Sequence, residues 1–80
     1  ELSPEQRKVM IQGMVARLSE RLHRDGSDVE GWLRLVRSYM VLGEPDKARA
    51  AVADARRALA ADPSKLQRLD DLVRGLGLEG

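Results

Sequence analysis

The stretch Gly31–Ala48, GWLRLVRSYMVLGEPDKA, reads as one helix, a glycine turn and the start of a second helix. Trp32, Leu35, Val36, Tyr39 and Leu42 recur at spacings of three and four, which on a helix of 3.6 residues per turn puts them on one face. Gly43 ends the stripe, Pro45 suits the first turn of a new helix, and Ala48 opens a second apolar face. A face of large side chains followed across a tight turn by a face of small ones predicts a helical hairpin, with Trp32, Leu35, Tyr39, Ala48 and Ala55 in its core.

The same signals continue outward. Ser3, Pro4 and Gln6 predict a capped helix start, after which Ile11, Met14, Val15, Leu18 and Leu22 form what reads as one continuous buried stripe, stopping at Gly26. Ser27 and Glu30 have the spacing of a second capping box, opening the Trp32 helix. Beyond Pro45, Ala48, Ala51, Val52, Ala55, Ala58 and Leu59 give a face made almost wholly of small residues, one that admits close helix approach. Asp62 and Pro63 start a fourth helix, lined by Leu66, Leu69, Leu72, Val73 and Leu76, before Gly75, Gly77 and Gly80 dissolve the pattern. No period-two run of β-branched residues predicts a strand. The fold class expected is all-α: four antiparallel helices in a single domain over 1–80.

The chain repeats itself. A shift of 37 residues pairs Val15 with Val52, Leu22 with Leu59, Leu35 with Leu72, Val36 with Val73 and Gly43 with Gly80, and sets Trp32 on Leu69 and Tyr39 on Leu76. A period in the thirties with a helix pair per unit marks a helical-hairpin array. One complete repeat, about 29–63, is flanked by half-repeats at 3–26 and 63–76.

Composition excludes several classes of function. Lys and Arg number 14 against 13 Asp and Glu, a net charge of +1, with no block of like charges. No helix has the cationic, amide-rich face of a nucleic-acid reader, so no nucleic-acid partner is expected. There is no Cys, which removes disulfides, zinc knuckles and covalent haem attachment through this chain. No apolar run reaches the ~20 residues of a membrane span, so this piece is expected to make no direct membrane contact. A chain opening ELSPEQ without an initiator Met reads as a piece whose anchoring or targeting segments lie upstream.

Gly31–Ala55 resembles a tetratricopeptide repeat: Trp32, Leu35, Tyr39, Gly43, Ala48 and Ala55 stand where that family places its large, turn and small residues, while Val36 and Val52 replace its first-helix glycine and second-helix aromatic. A narrower resemblance covers nearly the whole chain. MIQGMVARLSERL, DVEGWLRLVRSYMVLGEPDKARAA and DARRAL are similar to the periplasmic helical-repeat domain of the bacterial cytochrome c biogenesis proteins of the CcmI/CycH type. That resemblance implies an inner-membrane-anchored protein that works with the other subunits of a haem-ligation complex. It also implies a periplasmic repeat domain that binds the apocytochrome c polypeptide through its C-terminal helix.

The residues agree with a binding role. His23 lies near the end of the first helix without a His or Cys companion and reads as a solvated helix-end cation, not a haem or metal ligand. Asp70 and Asp71 are adjacent and diverge by about 100° on a helix, which suits neither chelation nor paired acid catalysis. No serine has the elbow or the basic partner of a nucleophile. No enzyme, no cofactor and no metal site is expected.

In stacked hairpins the first helix of each unit lines the concave face. The peptide-binding groove expected there comprises Leu33, Arg34, Arg37 and Met40 of the Trp32 helix with Asp70 and Arg74 of the fourth, an apolar strip crossed by a cation. Repeats of the chaperone-adaptor kind grip a terminal carboxylate with Lys and Asn; here Leu33, Asp70, Arg37 and Arg74 take those places, so an amphipathic helix is the better ligand. The competing reading is a generic helical-repeat scaffold that joins subunits of a membrane assembly.

Overall fold

A computed structural model of the chain describes residues 1–78. They form four helices, α1 (Pro4–Arg24), α2 (Val29–Val41), α3 (Pro45–Ala58) and α4 (Pro63–Leu76), with no strand among the described residues. The fold is all-α, and its order of helices is compatible with the tetratricopeptide-like hairpin and flanking half-repeats.

Helix starts follow local chemistry. The Ser3 hydroxyl accepts the Gln6 N–H at 3.2 Å, and the Gln6 amide oxygen accepts the Ser3 N–H at 2.9 Å, completing the capping box before Pro4. The second helix departs from the expected box. Asp28 caps it, its Oδ1 accepting the Gly31 N–H at 3.1 Å, because Asp28 is the residue immediately before the first helical position. Ser27 instead donates its hydroxyl to Asp25 at 2.8 Å, and Glu30 pairs with Arg68 of α4. Asp62 repeats the Asp28 arrangement on Lys65 N–H at 3.1 Å.

Helix ends are set by two glycines in the left-handed region, Gly43 (φ 72°) and Gly77 (φ 70°). At each, the following residue reaches back to satisfy an orphan carbonyl: Glu44 N–H to Tyr39 at 2.8 Å, and Leu78 N–H to Val73 at 3.1 Å. The counterpart of Gly43 is therefore Gly77. Gly80, paired with Gly43 in the sequence, lies outside the described residues, and Gly75 sits within α4.

Packing centres on α2, which lies against all three other helices, while α3 also meets α4. Trp32, Leu35 and Val36 are buried with Ala48, Ala51, Val52 and Ala55, and Leu69 and Val73 close the core from α4. Tyr39 is half-buried at its edge. The small face of α3 is what lets the Trp32 face approach. By contrast α1 packs its backbone against α2 alone. Its predicted stripe is accordingly incomplete: Val15 and Leu22 are buried, Ile11 and Leu18 half-buried, and Met14 is 56% exposed.

The end of α1 reaches α3 through His23, whose Nε2 lies 2.9 Å from Asp54 Oδ2 and whose Nδ1 lies 2.7 Å from the Ser19 carbonyl. With an acceptor on each ring nitrogen, the doubly protonated ring is favoured. The Asp54 bond, then the Ser19 bond, raise the His23 pKa above its ordinary 6.5, against loss of hydration and, more weakly, the Arg57 charge. The ring stands edge-on to Trp32 at 5.5 Å.

Two outcomes follow for stability. Trp32→Ala should cost about 3–5 kcal/mol, comparable to the whole stability of so small a domain, and leave little cooperative melting by circular dichroism. A melting temperature within a few degrees of the parent would contradict the core role of Trp32. Because the folded-state pKa of His23 is raised, its pairing stabilises the fold fully below pH 6.5 and is lost as pH rises through the raised value. Urea midpoints should therefore fall across that window in the parent and stay level in His23→Gln; identical pH profiles would remove His23 from the account.

Candidate functional site

The six residues expected to form one groove do not converge on one surface. Leu33 is buried at 4% exposure, and Met40 is half-buried against the core. The cause is α4. Glu30, one turn before Leu33 on the same side of α2, pairs with Arg68, so that side of α2 faces α4 and not solvent. Asp70 and Arg74 line a separate cleft of about 510 Å³ between α3 and α4, with Arg49, Arg56 and Val73. There Arg56 holds Asp70 at 3.2 Å, and Arg74 is paired with Asp71. Only Arg34 and Arg37 remain as exposed groups on the middle of α2.

Arg34 faces the other way, onto α1. Together with Ser38 it rims an apolar groove of about 180 Å³ whose floor and wall are Ile11, Met14, Val15 and Leu18. The Ser38 hydroxyl is turned inward, donating to the Arg34 carbonyl at 2.8 Å, so the guanidinium is the polar group offered at the rim. At the α1 N-terminal end a second shallow depression continues from Ile11 to Pro4, Arg7, Lys8 and the α2 residues Val41 and Leu42. Of the exposed large apolar side chains, Met14 on α1 lines the groove and Val41, at 79% exposure on α2, lines the second depression; Val9, Met10 and Leu2 are also exposed.

Charge is divided in the same way. Every Lys and Arg on α3 and α4 has an acidic partner: Lys47 with Glu44, Arg49 with Asp46, Arg56 with Asp70, Arg57 with Asp54, Lys65 with Asp62, Arg68 with Glu30 and Arg74 with Asp71. Arg21 and Arg24, toward the end of α1, are paired with Asp28 and Glu20. Arg7, Lys8, Arg17, Arg34 and Arg37 have no carboxylate within ion-pair reach among the described residues. All five are exposed on α1 and α2, the helices that build the groove.

Ile11, Met14 and Leu18 are groove residues that the periodicity alone assigns to the core. Among the described residues α1 has α2 as its one neighbouring helix, so part of its stripe stays open. Among the described residues no cluster of three or more His, Asp or Glu side chains gathers as a metal site, and no helix is long and apolar enough to cross a membrane.

No family model matches the chain, and no solved structure does. It is 49% identical, over all 80 residues, to the cytochrome c-type biogenesis protein CycH of Bradyrhizobium diazoefficiens, of which it spans 22%. It is 43% identical over 79 residues to the protein of the same name from Rhizobium meliloti, of which it spans 21%. The similarity runs through all four helices, over a segment about a fifth as long as either relative, and it bears out the resemblance to the CcmI/CycH-type cytochrome c biogenesis proteins that the chain's own residues carry.

Proposed function

We propose that the chain is the polypeptide-binding module of a cytochrome c biogenesis factor. It holds the apocytochrome c by its C-terminal helix while other subunits of a haem-ligation complex carry out the haem chemistry. The names of both relatives support the role in cytochrome c biogenesis. The periplasm, as part of an inner-membrane-anchored protein, is the compartment in which such a module would work.

The observation that carries the reading is the open apolar groove between α1 and α2. An amphipathic segment with little structure of its own orders when its apolar stripe meets such a groove, and the free energy comes mainly from apolar surface leaving water. The floor supplied by Ile11, Val15 and Leu18 is half-sheltered, so a ligand need only complete its burial. Arg34 at the rim, from the groove residues expected in the sequence, meets an acidic or carbonyl group on the ligand and fixes register. Arg37 stands one turn further along α2.

Calorimetry and circular dichroism on the chain with a peptide spanning the C-terminal helix of a cognate apocytochrome c test this. The peptide should bind and gain helicity. Met14→Asp should weaken binding by about tenfold or more, since a desolvated carboxylate would face the apolar stripe. Met14 is 56% exposed, so melting should barely move. Leu33→Asp is no test of the groove, because a carboxylate at that buried position would unfold the domain. Absence of binding to any apocytochrome segment would favour the scaffold reading, in which the repeats join subunits of a membrane assembly.

A further inference from the structure

We propose that Asp25–Gly26 is a site of spontaneous aspartate isomerisation at the junction of α1, α2 and α3, and that Ser27 restrains the reaction by holding the Asp25 carboxylate. The site lies apart from the α1–α2 groove and stands whatever the chain binds.

Asp25 is the one Asp of the chain that precedes a Gly. Isomerisation begins with a ring closure that needs an accessible aspartic acid, a free amide nitrogen on the next residue and no side chain there to block the approach. Asp25 is exposed. Among the described residues the Gly26 N–H donates to no acceptor, and Gly26 has no Cβ to hinder it. The Gly26 nitrogen attacks the side-chain carboxyl carbon of protonated Asp25. A new C–N bond closes a five-membered succinimide, and the amide proton leaves with the carboxyl hydroxyl as water. Water then cleaves one of the two ring C–N bonds. Opening at the former main-chain carbonyl leaves the chain running through the side-chain carbon, an isoaspartate of unchanged mass; opening at the other carbonyl restores Asp25.

Two groups of Ser27 oppose the first step. Its hydroxyl donates to Asp25 Oδ1 at 2.8 Å and its N–H to the same oxygen at 3.2 Å, which draws the carboxylate past the Gly26 nitrogen and favours its charged form. The hydroxyl, then the N–H, hold the Asp25 pKa below its ordinary 3.8, against loss of hydration, with Arg21 of α1 and Lys65 of α4 adding more weakly. From α3 the turn meets Ala58, which carries no charge. The charged form is the unreactive one, because a carboxylate lacks the hydroxyl that must leave.

The product does not fit the junction. The Gly26 carbonyl accepts the Trp32 indole N–H at 2.9 Å, and a Cβ at position 26 would already lie 2.5 Å from the Ala58 Cβ. A main chain one carbon longer at residue 25 cannot keep both contacts, so isomerisation unseats Trp32.

The 80-residue chain, its Ser27→Ala, Ser27→Thr and Asp25→Glu variants and an unfolded peptide of residues 21–29 are aged in mildly acidic buffer. Isoaspartate is mapped with a protease that cuts before Asp and passes over the isomer. It should form at position 25 ahead of every other Asp, more slowly in the folded chain than in the peptide. Ser27→Ala should age about fivefold faster than the parent, the order expected of one exposed hydrogen bond to a charged group. Ser27→Thr keeps the hydroxyl and should age like the parent, while Asp25→Glu, whose closure needs a larger ring, should not isomerise. The reaction in Ser27→Ala should persist to higher pH than in the parent, as the Asp25 carboxyl regains its ordinary range; a merely looser turn would raise the rate without moving the profile. Trp32, the one Trp, should emit as in the parent in fresh Ser27→Ala and shift to the red, with a lower melting temperature, in the separated isoaspartyl chain. A folded parent as fast as the peptide, equal rates in Ser27→Ala and the parent, or Ser27→Thr as fast as Ser27→Ala would overturn the guarding role. An isoaspartyl chain with the parent's emission and melting temperature would overturn the link to Trp32.

Discussion

Trp32 donates its indole N–H to the Gly26 carbonyl at 2.9 Å, and around that bond three helices are fixed to one another. Gly26 follows α1, Trp32 belongs to the first turn of α2, and a Cβ at position 26 would lie 2.5 Å from the Ala58 Cβ near the end of α3. A side chain at position 26 would therefore push against the end of α3, and glycine there lets the chain pass Ala58. Leu22 closes the same point from α1: a Cβ on Gly31 would meet it at 2.8 Å. Two glycines and an alanine buy the close approach that seats the one large aromatic of the core at 1% exposure, with its only polar atom satisfied.

From that junction the unequal burial of the helices follows. With α2 held against α1 at one side and α3 at another, α4 takes the side that carries Glu30 and Leu33, and α2 has little free surface left. The strip expected to bind a ligand on α2 is consumed as interface. The open apolar surface passes instead to α1, whose only backbone contact among the described residues is α2.

This explains which features were legible in the sequence. Helix starts and stops rest on contacts within three or four residues, so Ser3 with Gln6, Pro45, Asp62 with Pro63 and the turn at Gly43 could be placed by eye. The second start lies one residue after the one that the Ser27 and Glu30 spacing implies, because Ser27, Asp28 and Glu30 offer overlapping capping patterns and backbone geometry favours Asp28. The core at Trp32, Leu35, Ala48 and Ala55 was legible since a large face and a small face a turn apart need each other. Leu33 and Met14 were not. Their exposure depends on how many helices surround their own, a tertiary count to which the period of three and four is blind.

The ion pairs belong to that same unreadable class, and they separate the work of the two halves. A net charge of +1 conceals a fold in which the cations of α3 and α4 are spent on neighbours, while those of the first two helices are largely unspent. Exposed pairs such as Arg49 with Asp46 each add at most about 1 kcal/mol. Leaving Arg17 or Arg34 unmatched therefore costs stability little, since solvent hydrates both. Arg34, at the rim of the groove, acts instead through its field, which reaches about 8 Å at physiological salt, far enough to act on a ligand that is about to make contact. A domain too small to hold both a full core and a deep site can keep its stability in α2 with α3 and α4, and its selectivity in charges that the fold does not need.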